Sequence, residues 1–253
     1  MTQTQFEALK TFRNEYKKMC ARWSALAPQL VPLQKKAASV DTPAYPIETP
    51  VVYNKALDAI TQDDEIKIIV IGDNPGKDEQ LAKNNKYLVG QAGKIAEGFF
   101  KMHPSLGIDF RKNAIILNKT PVHTAKTKHL KVLAKEDAAV RDLILQSQEW
   151  LAQKTAALAQ GVGAQIWLVG YSELKDKGIF VPYRDKLKEA AQSLQADQEA
   201  AATVYDALFV FQHFSMNRFM IDLRDFCGGE LKESALAKKI ADLGRRHRDE
   251  IFG

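Results

Sequence analysis

Five β-branched residues, Ile66, Ile68, Ile69, Val70 and Ile71, run straight into the polar, Gly/Pro-bounded segment Gly72-Asp73-Asn74-Pro75-Gly76. The run is too short for an ordinary helix, and its apolar residues fall on both alternating faces, as in a strand buried inside a parallel sheet. A parallel sheet requires helices that cover both of its faces. It also gives the loop after the strand a special place, because open α/β sheets bind ligands just beyond the carboxyl ends of their strands. Residues 72–76 put a carboxylate and an amide there. Pro75 fixes φ and removes a donor, and Gly76 permits positive φ and the close approach of a ligand, so a rigid loop is expected.

The rest of the chain supplies the remaining layers. Phe6, Leu9, Phe12, Tyr16, Met19, Cys20 and Trp23 recur at three- and four-residue spacing and predict a helix over residues 4–25. Pro28, Pro32, Pro43, Pro46 and Pro50 then predict an extended or turned connection, and residues 51–60 a short helix. After the central loop comes a helix over 93–102, with Ile95, Phe99 and Met102 on one face. Its start at Gly90-Gln91-Ala92-Gly93 can serve an anion or simply allow tight helix–strand packing. Residues 113–118 form a second strand ending at Asn118, and the basic, hydroxyl-rich loop 119–128 follows. A helix over 136–159, a strand over 165–170, a short helix over 171–177 and a helix over 183–202 come next. A fourth strand over 205–212 leads into His213, and a last helix spans 230–248. Four short strands separated by helices predict a mostly parallel sheet in one main domain, residues 61–253, with the N-terminal residues 1–60 as a helical extension packed on it.

Thirty-six Lys and Arg against 31 Asp and Glu leave a net charge of +5 and a pI near 9.0, which favours a polyanionic partner such as nucleic acid. The two cysteines, Cys20 and Cys227, are too few for an all-cysteine metal cluster and suit a reducing compartment. The amphipathic N-terminus carries Glu7 and Glu15, unlike a secretory leader, and no run of about 18 apolar residues exists to cross a membrane. A cytoplasmic monomer without metal or cofactor is expected.

Gly72-Asp73-Asn74-Pro75-Gly76 resembles the G-x-N-P-G first motif of the mismatch-specific and single-strand-selective branches of the uracil-DNA glycosylase superfamily. Lys77-Asp78-Glu79 and Tyr87-Leu88-Val89-Gly90-Gln91-Ala92-Gly93 are similar to the thermostable branch, whose pattern is G-E-A-P-G-x-x-E followed by P-F-V-G-x-A-G. The resemblance covers roughly residues 66–219 and implies a three-layer α/β/α sandwich. It implies that Asn74 positions the attacking water, with Asp73 as the alternative base, since an amide orients water but cannot take its proton. It further implies that Asn118 reads the polar edge of a pyrimidine, and that His213 donates to the base as negative charge develops on it. Gly72, Pro75, Gly76, Tyr87 and Leu88 would line the base pocket. Met216, Asn217 and Arg218 occupy the place of the wedge that holds a flipped base outside the duplex, and Lys119, Lys126, Lys128 and Lys131 would hold the DNA backbone. The chain departs from the family at Phe214, where a proline is usual, and at Leu88, where an aromatic stacks on the base. It also lacks the four cluster cysteines of the thermostable branch. The expected activity is excision of uracil or a related damaged base from DNA. The alternatives are a non-catalytic nucleic-acid-binding relative and a nucleotide or phosphoester hydrolase.

Overall fold

The computed structural model describes residues 1–196 and 203–253. Four strands, β1 (Ile68–Gly72), β2 (Ala114–Asn118), β3 (Gln165–Val169) and β4 (Leu208–Phe211), pair in parallel in the order β2-β1-β3-β4. The register sets Gly72 opposite Asn118 and Ile71 opposite Leu168. Alternation sends Ile69, Ile71, Ile115, Leu117, Leu168 and Val210 to one face, and Ile68, Val70, Ile116, Trp167, Phe209 and Phe211 to the other. The first face is covered by helices α1 (Gln3–Trp23), α4 (His129–Glu136), α5 (Ala138–Val162) and α6 (Val181–Ala196), with α2 (Ala27–Ser39) packed on α4. The second is covered by α3 (Gln91–Met102), α7 (Arg218–Phe226) and α8 (Glu233–Phe252). The molecule is therefore an α/β/α sandwich around an all-parallel sheet.

Several local expectations are corrected. Pro28 and Pro32 lie inside α2 rather than in an extended connection. Pro28 sits in the first turn, where its missing N–H has no partner to lose, and the buried Leu30, Gln34, Ala37 and Ala38 hold the helix through Pro32. Within residues 51–60 the expected short helix is a 3-10 helix confined to Lys55–Ala59, and Val51 forms an antiparallel bridge to Val122. The expected helix over 136–159 is α5, capped at Asp137, whose carboxylate accepts from the Val140 N–H at 2.9 Å, and the separate helix α4 before it was not anticipated. Helix α7 was not anticipated, and residues 197–202 of the expected helix over 183–202 lie outside the described residues. The N-terminal helix contributes Leu9, Phe12, Tyr16 and Trp23 to the main core, where Tyr16 and Trp23 pack on Trp150 of α5.

Candidate functional site

The chain runs from β1 outward to β2 and then crosses back to β3 on the other side of β1. That reversal opens a crevice beyond the carboxyl ends of β1 and β3, where α/β sheets bind ligands. A cleft of about 470 Å³ lies there, lined by Asp73, Gly170, Gln212, His213, Ser215 and Arg218, together with Glu173, Asp222 and Asp225.

His213 enters the cleft directly from β4. Its Nδ1 accepts from the Ser215 backbone N–H at 3.1 Å and from the Ser215 hydroxyl at 2.7 Å. An imidazole nitrogen that accepts carries no proton, so the neutral ring holds its hydrogen on Nε2. Burial lowers the pKa of His213, outweighing the attraction of Asp73, and favours that neutral form.

Asp73 faces His213 across the cleft, and its position is built by three neighbours. The Lys119 side chain is fully buried and donates to Asp73 Oδ1 at 2.7 Å, to the Val169 carbonyl at 2.5 Å and to the Gly72 carbonyl at 3.3 Å. All three ammonium hydrogens are thereby used. Burial pulls the Lys119 pKa down against the opposing charge of Asp73. Thr127 donates to Asp73 Oδ2 at 3.3 Å. Gly170 has φ +98°, and a Cβ there would stand 2.2 Å from Asp73 Oδ1, so only glycine leaves room for the carboxylate.

Asn74 is placed differently from expectation. Its Nδ2 donates to Thr124 Oγ1 at 2.8 Å and to the Val122 carbonyl at 3.2 Å, tying the first loop to the second, and it is not on the cleft wall. Asn118 is buried beside Gly72, where any Cβ would come within 2.4 Å of its Oδ1. Among the described residues Asn118 Nδ2 is buried without a hydrogen-bond partner, an arrangement that carries a desolvation penalty unless a ligand meets it, and like Asn74 it is not on the cleft wall.

Tyr87 is not available to a base. It is fully buried with its hydroxyl donating to the Val52 carbonyl at 2.5 Å, and the Tyr16 hydroxyl lies 2.6 Å away, so the ring faces the N-terminal helix. Leu88 is also buried, at φ +51°. Its N–H donates to Glu79 at 2.7 Å, its carbonyl accepts from Arg111 at 2.8 Å, and a Cβ on Gly93 would lie 1.5 Å from that carbonyl. Gly93 thus serves close packing at the start of α3. Gly76 is not in the left-handed region; it contributes its N–H, which donates to Glu79 at 2.9 Å. The Pro75 carbonyl accepts from His123 Nδ1 at 2.8 Å, and Tyr45 donates to His123 Nε2 at 2.9 Å. Glu79 and His123 therefore brace the loop from two sides. In the sequence Glu79 stands out only as the last residue of Lys77-Asp78-Glu79, and nothing in the local sequence marks His123.

Met216 and Asn217 sit at φ +53° and +56° on an exposed turn between β4 and α7, with Met216 77% exposed and Ile221 nearby 46% exposed. Two consecutive non-glycine residues in the left-handed region are strained. The expected basic patch is largely neutralised. Lys119 is buried, Lys126 and Lys128 both pair with Asp41, and Lys131 pairs with Glu173. Arg218 is exposed at the cleft and makes no ion pair among the described residues. Also among the described residues, no helix is long and apolar enough to cross a membrane. Comparison with known protein families, with curated proteins and with solved structures finds no match to this chain.

Proposed function

We propose that this chain is an N-glycosidic hydrolase that removes uracil or a related damaged base from DNA. The observation that carries the reading is a neutral histidine with its proton on Nε2, sharing one cleft with a carboxylate at the switch point of a parallel sheet. Breaking an N-glycosidic bond leaves an anionic base and a cationic sugar. A preset neutral donor serves the first and a carboxylate the second, each more strongly in the transition state than in the ground state.

Two further features support the same chemistry. The Nδ2 of Asn118, orphaned among the described residues, suits the polar edge of a base that reaches behind the cleft wall to the end of β2, since a partner lost there costs roughly 1–3 kcal/mol and so rejects the wrong hydrogen-bonding pattern. The strained, exposed turn at Met216 and Asn217, beside Arg218, which makes no ion pair among the described residues, suits an apolar wedge entering the stack of a duplex.

The test is release of base from oligonucleotides carrying uracil, hypoxanthine or xanthine, single-stranded, matched and mismatched, read as strand cleavage after alkali. No cleavage on any substrate would sink the reading. A second reading comes from the cleft wall, where Asp73, Glu173, Asp222 and Asp225 outnumber Arg218. That lining favours a free nucleoside over polyanionic DNA. Uridine, inosine and xanthosine in the same assay, followed by chromatography of the free base, separate the two.

A further inference from the structure

We propose that Asp73, not Asn74, is the base that takes the proton from water at this site, and that the buried Lys119 is its positioning residue; the assignment rests on the hydrolase reading above. Asp73 lies on the cleft wall with His213. The Nδ2 of Asn74 is spent on the neighbouring loop, where Thr124 cannot exchange roles with it because the Thr124 hydroxyl already donates to the Lys126 carbonyl at 2.9 Å.

Lys119 is an unusual residue to bury in a sheet edge, since an ammonium taken out of water is tolerated only when its charge and hydrogens are all met. Here they are met by one carboxylate and two carbonyls, Val169 and Gly72, from the ends of β3 and β1. The Lys119 Nζ also stands 4.8 Å from the centre of the Phe180 ring, which closes it from solvent. The two carbonyls anchor the ammonium to the rigid strands, and the ammonium anchors Asp73 Oδ1. The other oxygen, Oδ2, keeps only the 3.3 Å contact with Thr127 and is the one left to receive a proton. Gly170 completes the device by leaving the carboxylate its space.

The bond between the base nitrogen and sugar C1′ breaks, and its electron pair leaves with the base, where His213 Nε2–H meets it. The oxygen of water bonds to C1′, and the proton it gives up goes to Asp73 Oδ2. The products are the free base anion, a sugar hemiacetal and a protonated Asp73, which returns its proton to the base through solvent.

The test compares single-turnover base release and oligonucleotide Kd for D73N, K119M, the double D73N/K119M variant and N74A, on a uracil oligonucleotide that the wild type cleaves. D73N is expected to slow release about 10²-fold, in line with loss of a positioned base. K119M should slow it by a similar factor with Kd within about twofold of wild type, and the double variant should be no slower than D73N alone because both act through one carboxylate. N74A should lose less than about tenfold. Release by D73N at the wild-type rate overturns the proposal, and so does a double variant whose loss is the product of the single losses. K119M leaves a carboxylate without its counter-charge; if circular dichroism shows it unfolded, K119Q, which keeps a donor without the charge, takes its place under the same criteria. A wild type that releases no base removes both the hydrolase reading and this assignment, whereas an active wild type with an unimpaired D73N removes this assignment alone.

Discussion

At His213 one backbone contact decides the chemistry available. With the Ser215 N–H aimed at Nδ1, the ring can donate only from Nε2. A donor set against a developing anion is worth on the order of 3–4 kcal/mol, or about 10²–10³ in rate. His213→Ala should therefore slow single-turnover release by that factor with unchanged oligonucleotide Kd, and wild-type release would remove the histidine from the mechanism. Asn74 gives the opposite lesson. Resemblance alone implies that Asn74→Asp adds a base and retains or raises activity. In the structure an aspartate there would set an acceptor against the Val122 carbonyl and a Thr124 oxygen whose hydrogen is committed elsewhere. The variant should lose about 1–3 kcal/mol of stability in urea denaturation and release base more slowly.

At the scale of the element, the loop after β1 is held by two buried titratable groups of opposite behaviour. Desolvation pushes the Glu79 carboxyl up to about 7, against the pull of the Gly76 and Leu88 N–H groups. The folded state then holds a proton that the unfolded chain releases above about 4.5, so this group's contribution falls as pH rises from 4.5 to 7. Desolvation brings His123 down to about 4, so the unfolded chain accepts a proton that the folded state refuses, and its contribution falls as pH drops from 6.5 to 4. Each is worth up to about 3 kcal/mol, and within the shared window the two slopes oppose. Relative to wild type, Glu79→Gln should make stability rise more steeply between pH 4.5 and 6.5, and His123→Gln should make it fall over the same range. Denaturant midpoints across that pH series check both, and parallel profiles for all three proteins would dismiss the bracing pair.

Over the whole molecule, the N-terminal helix and the functional loop belong to the two cores on either side of the sheet and are joined by a buried hydroxyl contact. Tyr16 of α1 meets Tyr87 hydroxyl to hydroxyl inside the protein, and Tyr87 in turn holds the Val52 carbonyl. Heat should unfold the chain in a single transition, and Tyr16→Phe should cost about 1 kcal/mol. Two separate transitions in calorimetry would make residues 1–60 an independent unit. Long-range charge is redistributed in the same way. Lys126 and Lys128 are drawn onto Asp41, whose carboxyl they hold well below its ordinary pKa, Lys128 most of all. Arg218 stands at the cleft without an ion pair among the described residues. Arg218→Ala should weaken oligonucleotide binding and reduce its salt slope by about one, while replacing Lys126 and Lys128 together should change the slope little. The reverse ranking would return the backbone contact to the second loop.

The sequence by itself determined the sheet. Short β-branched runs cannot satisfy their backbone or bury both faces except side by side under helices, so four strands and the layers over them were legible from periodicity. It also determined that Asp73, Asn118 and His213 stand at strand ends, because position along a strand is a local property. What tertiary structure alone decided was direction and partnership. Pro32 sits within a helix because distant burial outweighs a local preference. Tyr87 turns away from the loop because a tyrosine 71 residues earlier waits for its hydroxyl. Lys119, which reads as one more surface lysine in a basic loop, is buried because two strand-end carbonyls and Asp73 meet all of its hydrogens, and those acceptors come together only when the sheet is assembled.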